Sequence, residues 1–157
     1  HTAERAGEVW FTIPYYTYIH HILVSIGETR TKEEILNSGQ YISCQLGATS
    51  DKWAEKLLKE GYKFKKLALD SYELAFEAVL DGRAVGVLSD SAFTGPYFKE
   101  RPDVAAKFKE LCTVGGVESY AYATRPGDYG LRNALNQGLE ELMASPYWDE
   151  LREKWGV

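Results

Sequence analysis

From about residue 40 to residue 115, capped helical segments alternate with short runs of β-branched and aromatic residues, and this alternation restricts the chain to few folds. Thr31 followed by Glu34 has the spacing of a capping box. Thr49 and Ser50 open a second helix whose apolar face is Trp53, Ala54, Leu57 and Leu58, closed by Gly61. Ser71 opens a third, with Leu74, Ala75, Ala78 and Val79 on one face and Gly82 as its stop, and a fourth segment follows Asp90. The runs 41–46, 63–67, 84–88 and 111–114 read as strands between them. A regular strand-helix alternation predicts an α/β unit, a parallel sheet with helices on both faces.

The flanks carry a different pattern. Segments 8–12, 19–25 and 118–124 read as extended, and 128–144 and 145–155 as two C-terminal helices. The first of these helices places Leu131, Ala134, Leu135, Leu139, Leu142 and Met143 on one face; the second begins at Ser145-Pro146, a cap followed by proline at the first helical position. The α/β unit already has its own helices, so the flanking strands and terminal helices are expected to form a second, incomplete layer.

Composition narrows the function classes. Apolar residues make up 45% and charged residues 26% of 157, an ordinary balance for a globular protein. A net charge of -5 without a basic stripe argues against a nucleic-acid partner. No run of eighteen apolar residues suits a membrane span. The chain opens on His1 rather than Met, and the expectation is of an upstream segment beyond these residues.

Cys44 and Cys112 each fall in an apolar run read as a strand; two buried small side chains and a disulfide both fit that placing. The consecutive His20 and His21 point to opposite faces of a strand and lack a third ligand at fixed spacing, so a structural role is expected and no metal.

Several short motifs, in order, resemble the family-3 bacterial solute-binding proteins, amino-acid receptors of ABC importers with the type II periplasmic-binding-protein fold. Thr2-Ala3-Glu4-Arg5 and Phe11-Thr12-Ile13-Pro14-Tyr15-Tyr16 are similar to the family's "T-x-x-R … F-S-x-P-Y-Y". Gln45-Leu46-Gly47-Ala48-Thr49-Ser50 is similar to its "Q-x-G-T-T-S" loop, and Asp70-Ser71-Tyr72 and Asp81-Gly82-Arg83 to the ends of its "D-S-Y … N-G-R" helix. Val85 to Leu88 followed by Ser89-Asp90 matches "V-x-D", and Tyr120-Ala121-Tyr122-Ala123-Thr124-Arg125 matches "Y-G-I-A-V-R". The last match is Tyr147-Trp148 through Trp155-Gly156.

This resemblance implies one complete Rossmann-like lobe with remnants of another, the initial strands of the first lobe being absent. It divides the chain into 1–24, a lobe 1 remnant and first hinge strand; 25–119, the lobe 2 α/β domain; and 120–157, the second hinge strand and lobe 1 helices. It implies an extracytoplasmic receptor, periplasmic or extracellular, that captures an amino acid or small carboxylate and meets importer membrane subunits. A membrane-anchored precursor and a second chain supplying the missing lobe 1 surface are compatible with it; no cofactor is implied. The same fold also carries membrane-receptor sensor domains and cyclohexadienyl dehydratase-like enzymes, for which Asp90 or Glu118 would be candidate acids.

The ligand chemistry follows from an amino acid's paired charges. Arg5 matches the arginine that forks onto the ligand carboxylate. Thr49 and Ser50 stand at a helix N-terminus suited to an anion, one hydroxyl capping the helix and the other, Thr49, meeting ligand. Ala48 replaces a hydroxyl residue and leaves only its backbone N–H. Asp90, at a strand's C-terminal end where open α/β sheets place ligands, matches the acid that pairs with the ammonium, and an aspartate there also fits a helix cap. Tyr15 and Phe93, with Tyr16, Tyr18, Tyr72 and Tyr120, are candidate pocket walls or core residues. Ser50, Asp51, Ser91 and Phe93 are candidates for selecting the ligand side chain.

Overall fold

The computed structural model describes residues 7–155. In chain order these form β1 (Trp10–Phe11), β2 (Tyr16–Ser25), α1 (Lys32–Leu36), β3 (Tyr41–Gln45), α2 (Thr49–Lys59), β4 (Lys65–Leu69), α3 (Tyr72–Leu80), β5 (Gly86–Asp90), α4 (Ser91–Glu100), α5 (Pro102–Ala105), β6 (Phe108–Tyr120), β7 (Ala123–Thr124), α6 (Tyr129–Met143) and α7 (Pro146–Trp155). The chain divides into two compact units: Ile19–Gly116, and the segments on either side of it.

The larger unit is built on a five-stranded sheet of order β4-β3-β5-β2-β6. Strand β3 runs parallel to both β4 and β5, as the strand-helix alternation predicts. The 19–25 run departs from expectation: it lies inside this sheet, antiparallel to β5 with His21 opposite Ser89, so the sheet is mixed. The reason is burial on both sides, since Ile22 and Val24 join one core cluster and Leu23 the other. A strand apolar on both faces belongs in a sheet covered by helices on both faces. Strands β4 and β5 also begin two residues later than the apolar runs suggest, because their bounds are set by pairing with β3 rather than by local composition.

Each face of the sheet has its own core. Ile35 and Leu36 of α1 and Ala54 and Leu57 of α2 pack with Ile42, Cys44 and Leu88 on one side. Ala75, Phe76, Ala78 and Val79 of α3 pack with Val87, Val104 and Phe108 on the other. Burying a side chain such as Ile42 or Leu88 contributes about 1.5–3 kcal/mol relative to exposure. Phe76 centres an aromatic group, with Tyr97 at 5.3 Å, Phe98 at 5.5 Å and Phe108 at 5.0 Å between ring centroids. Both thiols are free: Cys44 is buried in β3 and Cys112 half-buried in β6. Burial, reinforced by the Asp51 carboxylate, pushes the Cys44 thiol up to about 12, which keeps it protonated and inert.

The smaller unit pairs β1 with β7 antiparallel, Trp10 opposite Thr124. The Ile13 N–H donates to Asn136 Oδ1 of α6 at 2.9 Å, and Trp10 meets Tyr129 edge-on at 4.6 Å. Its helices bury little of their apolar faces: α6 buries Leu139 and α7 no residue, while Tyr129, Leu131, Tyr147 and Trp155 stand exposed.

Candidate ligand-binding site

Asp90 ends β5 and caps α4. Its Oδ1 accepts the Phe93 N–H at 2.8 Å, closing the first turn of the helix, and Oδ2 lies 2.9 Å from the Tyr72 hydroxyl. The same hydroxyl lies 3.0 Å from Ser50 Oγ. An ionised carboxylate only accepts, so the single phenolic proton goes to Asp90 and the Ser50 hydroxyl donates to Tyr72. Three elements, α2, α3 and the β5–α4 junction, are thereby tied together through Tyr72, itself buried. Each Asp90 oxygen has accepted one hydrogen bond and retains capacity for another.

The start of α2 differs from expectation. Its N-cap is Ala48, with no side-chain hydrogen bond, and neither Thr49 nor Ser50 caps the helix. Asp51 reaches back from inside the first turn to the residue before the cap: Oδ2 accepts the Gly47 N–H at 3.0 Å. Gly47 sits at φ 73°, a left-handed conformation that suits glycine at this strand-to-helix turn. Ser50 is fully buried with its hydroxyl on Tyr72, whereas Thr49 is half-buried. An uncapped helix start with a positive dipole end is chemically suited to a carboxylate.

Asp51 and Ser91, two of the candidates for selecting the ligand side chain, each hold a partner within the fold. Asp51 Oδ1 pairs with Lys66 Nζ at 2.6 Å, and Lys66 also reaches Glu55 at 2.9 Å; Ser91 Oγ accepts the Ile19 N–H at 3.1 Å. Burial pushes the Asp51 carboxyl up, but Lys66 and the Gly47 N–H outweigh it and hold it below the usual aspartate range. Lys66 is held above its ordinary value by its hydrogen bonds to Asp51 and Glu55. An aspartate lowered on folding stabilises above its ordinary pKa and loses that contribution as pH falls through the folded value. A lysine raised on folding stabilises below its ordinary pKa and loses it as pH rises through the folded value. The pair therefore ties α2 to β4 between the ordinary values of 3.8 and 10.5. Lys66→Met should cost about 1–2 kcal/mol at neutral pH, between surface and buried pairs. Urea denaturation should show the gap from the parent protein narrowing as pH falls below 3.8 and through the lowered Asp51 value.

Phe93 packs between Tyr72 at 4.7 Å and Tyr97 at 5.1 Å, joining the aromatic group around Phe76. Tyr15 belongs to the smaller unit, stacked on Tyr122 at 5.0 Å, and burial followed by the neighbouring Tyr122 phenol raises its pKa. With Tyr16, Trp148, Leu151, Arg152 and Trp155 it lines a cavity of about 200 Å³. Glu118 Oε2 accepts the Tyr18 hydroxyl at 3.0 Å. Arg5 lies outside the described residues. His20 is buried beside Trp53, and His21 reaches Glu110 and Thr94 instead. Among the described residues no three His, Cys, Asp or Glu are grouped to hold a metal.

So Ser50, Asp90 and Phe93 come together, joined by Tyr72, whose bridging role sequence reasoning missed. A tyrosine directly after the Ser71 cap, at the start of α3, was the available signal.

Residues 1–157 match the description "Bacterial extracellular solute-binding proteins, family 3". The chain belongs to this family. ABC transporter arginine-binding protein 1 of Escherichia coli (strain K12) is 25% identical over 155 residues, 98% of this chain and 62% of that protein. A solved ancestral arginine-binding protein bound to arginine superimposes with a TM-score of 0.79 at 32% identity, covering 100% of this chain and 68% of that one. The ancestral amino acid-binding protein AncCDT-1, a precursor of cyclohexadienyl dehydratase, gives 0.79 at 28% identity over 100% of this chain and 66% of that one. All three are binding proteins by name, and the fold is that of type II periplasmic amino-acid-binding proteins. The chain spans 62% of the length of the curated relative. No helix among the described residues is long and apolar enough to cross a membrane.

Proposed function

We propose that this chain is the C-terminal portion of an extracytoplasmic solute-binding protein that captures an amino acid for an ABC importer. The observation that carries this is Asp90, a nearly buried carboxylate held by Tyr72 and the Phe93 N–H at the C-terminal end of β5, with spare acceptor capacity for an ammonium. In this reading the ligand carboxylate meets the Thr49 hydroxyl, the Ala48 and Ser50 N–H groups and Arg5, while Phe93 and Tyr15 border the ligand. The Ser50 hydroxyl is engaged by Tyr72, so in this reading Ser50 meets the ligand by its N–H alone. The arginine-binding relatives make arginine the first ligand to test.

In this scheme residues 25–119 are the second lobe, a division that the compact unit Ile19–Gly116 supports, the chain passing between the units within β2 and β6. The exposed Tyr129, Leu131, Tyr147 and Trp155 support a further protein surface against α6 and α7, from the rest of the polypeptide or a second chain. Importer membrane subunits are the proposed partners, and anchoring of the precursor would keep the receptor beside them.

Calorimetric titration of a protein with the full length of its relatives against the twenty common amino acids should show binding, tightest for arginine. Absence of binding for all twenty would sink the proposal. The 157-residue chain alone should bind more weakly. A loss of two charge-assisted hydrogen bonds at about 1.5 kcal/mol each would correspond to about 100-fold.

A further inference from the structure

His21 is joined to the Asp90 cap by a chain of hydrogen bonds. The ring is almost buried in β2, with Nδ1 2.9 Å from Glu110 Oε2 of β6 and Nε2 3.0 Å from Thr94 Oγ1 of α4. Thr94 Oγ1 has two further acceptors in reach, the Asp90 carbonyl at 2.9 Å and Ser89 Oγ of β5 at 3.1 Å. Glu110 is the charged group facing the ring, on its more exposed side; Ser89 and Thr94 are uncharged. Thr94 is buried as well.

A threonine hydroxyl has one proton to give, and two proton states of the ring place it differently. In the neutral ring the proton sits on Nδ1, because a bare Nδ1 would face the Glu110 carboxylate acceptor to acceptor. Nε2 is then an acceptor and takes the Thr94 O–H. When a proton binds Nε2, an N–H bond forms there and donates to Thr94 Oγ1. The Thr94 hydroxyl can no longer point at the ring, and its proton turns to the Asp90 carbonyl, the nearer of its two remaining acceptors at 2.9 Å against 3.1 Å for Ser89 Oγ. No other bond is made or broken.

We propose that His21 is a positioning residue that couples its protonation to the first turn of α4 through Thr94. The consequence for ligand affinity rests on the reading of Asp90 as the ammonium partner, whereas the coupling itself does not. With the ring protonated, three hydrogen bonds converge on this turn, Thr94 to the Asp90 carbonyl, Phe93 N–H to the Asp90 carboxylate and Tyr72 to the same carboxylate; with the ring neutral, the first is absent. A change in the first reaches Asp90 directly.

The test is a pH titration of the chain from about pH 5 to about pH 8, the range in which imidazoles change charge. The His21 ring carbons and the Phe93 amide are followed by NMR. The Phe93 amide should shift with the same midpoint as the ring, and Thr94→Val should abolish that shift while the ring still titrates. A flat Phe93 amide beside a titrating ring, a ring that does not titrate, or an unchanged Phe93 response in Thr94→Val would each overturn the coupling. Should Thr94→Val not fold, Glu110→Gln must move the ring and Phe93 midpoints together, and their separation would be equally decisive. L-Arginine affinity across the same range should lose its pH dependence in His21→Gln. Absent arginine binding with the amide coupling intact would overturn the site reading and leave the coupling standing.

Discussion

Alanine in place of Gly115 should destabilise the larger unit more than any other single methyl added to the chain. Gly115 lies in β6 at φ 71°, a left-handed conformation that side chains rarely adopt, and a Cβ built there would fall 2.3 Å from Trp53 Cζ2 and 2.5 Å from Cη2. These contacts involve a rigid indole that packs beside His20 and carries Lys56 4.3 Å above its ring, so it has little room to yield. Backbone strain of about 1–3 kcal/mol combines with overpacking of similar size to give an expected loss of roughly 3 kcal/mol. Domains are stable by only about 5–15 kcal/mol, so urea denaturation should show a clear drop in midpoint. Trp53→Leu added to Gly115→Ala should recover the overpacking part and leave the φ strain. A loss under about 1 kcal/mol in the single variant would mean that Trp53 moves aside, a cost ordinary for any point mutation.

Asp90→Asn should separate ligand capture from stability. Asparagine is as good an N-cap as aspartate, and its Oδ1 can keep the Phe93 N–H. The amide nitrogen can then donate to the Tyr72 hydroxyl, which redirects its proton to Ser50, so the three-element tie survives with its polarity reversed. Stability should therefore change by less than about 1 kcal/mol. Affinity should fall much further, because removing one charge of a nearly buried, hydrogen-bonded pair costs about 2–5 kcal/mol, or about 30-fold and upward. Titrating the variant and the parent with the same amino acid, alongside thermal unfolding of each, checks both halves. Unchanged affinity would return Asp90 to the role of a helix cap.

Local features were the most legible. The Thr31–Glu34 capping box, the Ser71 cap and proline at the start of α7 all stand where residue spacing puts them, since each depends on a few neighbouring residues. The N-cap of α2 falls one residue earlier than expected, at Ala48: Thr49 and Ser50 have the chemistry of a cap, but the Ser50 hydroxyl is engaged by Tyr72 and no side chain caps the helix. Strand β2 was assigned to the wrong layer because sheet order is a long-range property: its partner β5 lies more than sixty residues away along the chain. Tyr72 shows the same limit at the site: its place after the Ser71 cap is visible locally, but its bonds to Ser50 and Asp90 cross 22 and 18 residues. His21 was read as structural, and its reach to Thr94 depends on the β2–β5 register.

The direct test of amino-acid capture at Asp90 is an amide-shift titration of the 157-residue chain with L-arginine and with the same molecule lacking its α-ammonium. Arginine should shift the Phe93, Thr49 and Ser50 amides, the deaminated molecule should leave Phe93 in place, and Asp90→Asn should remove the difference. Equal shifts from both molecules, or arginine shifts that avoid these three amides, would contradict the assignment of the site.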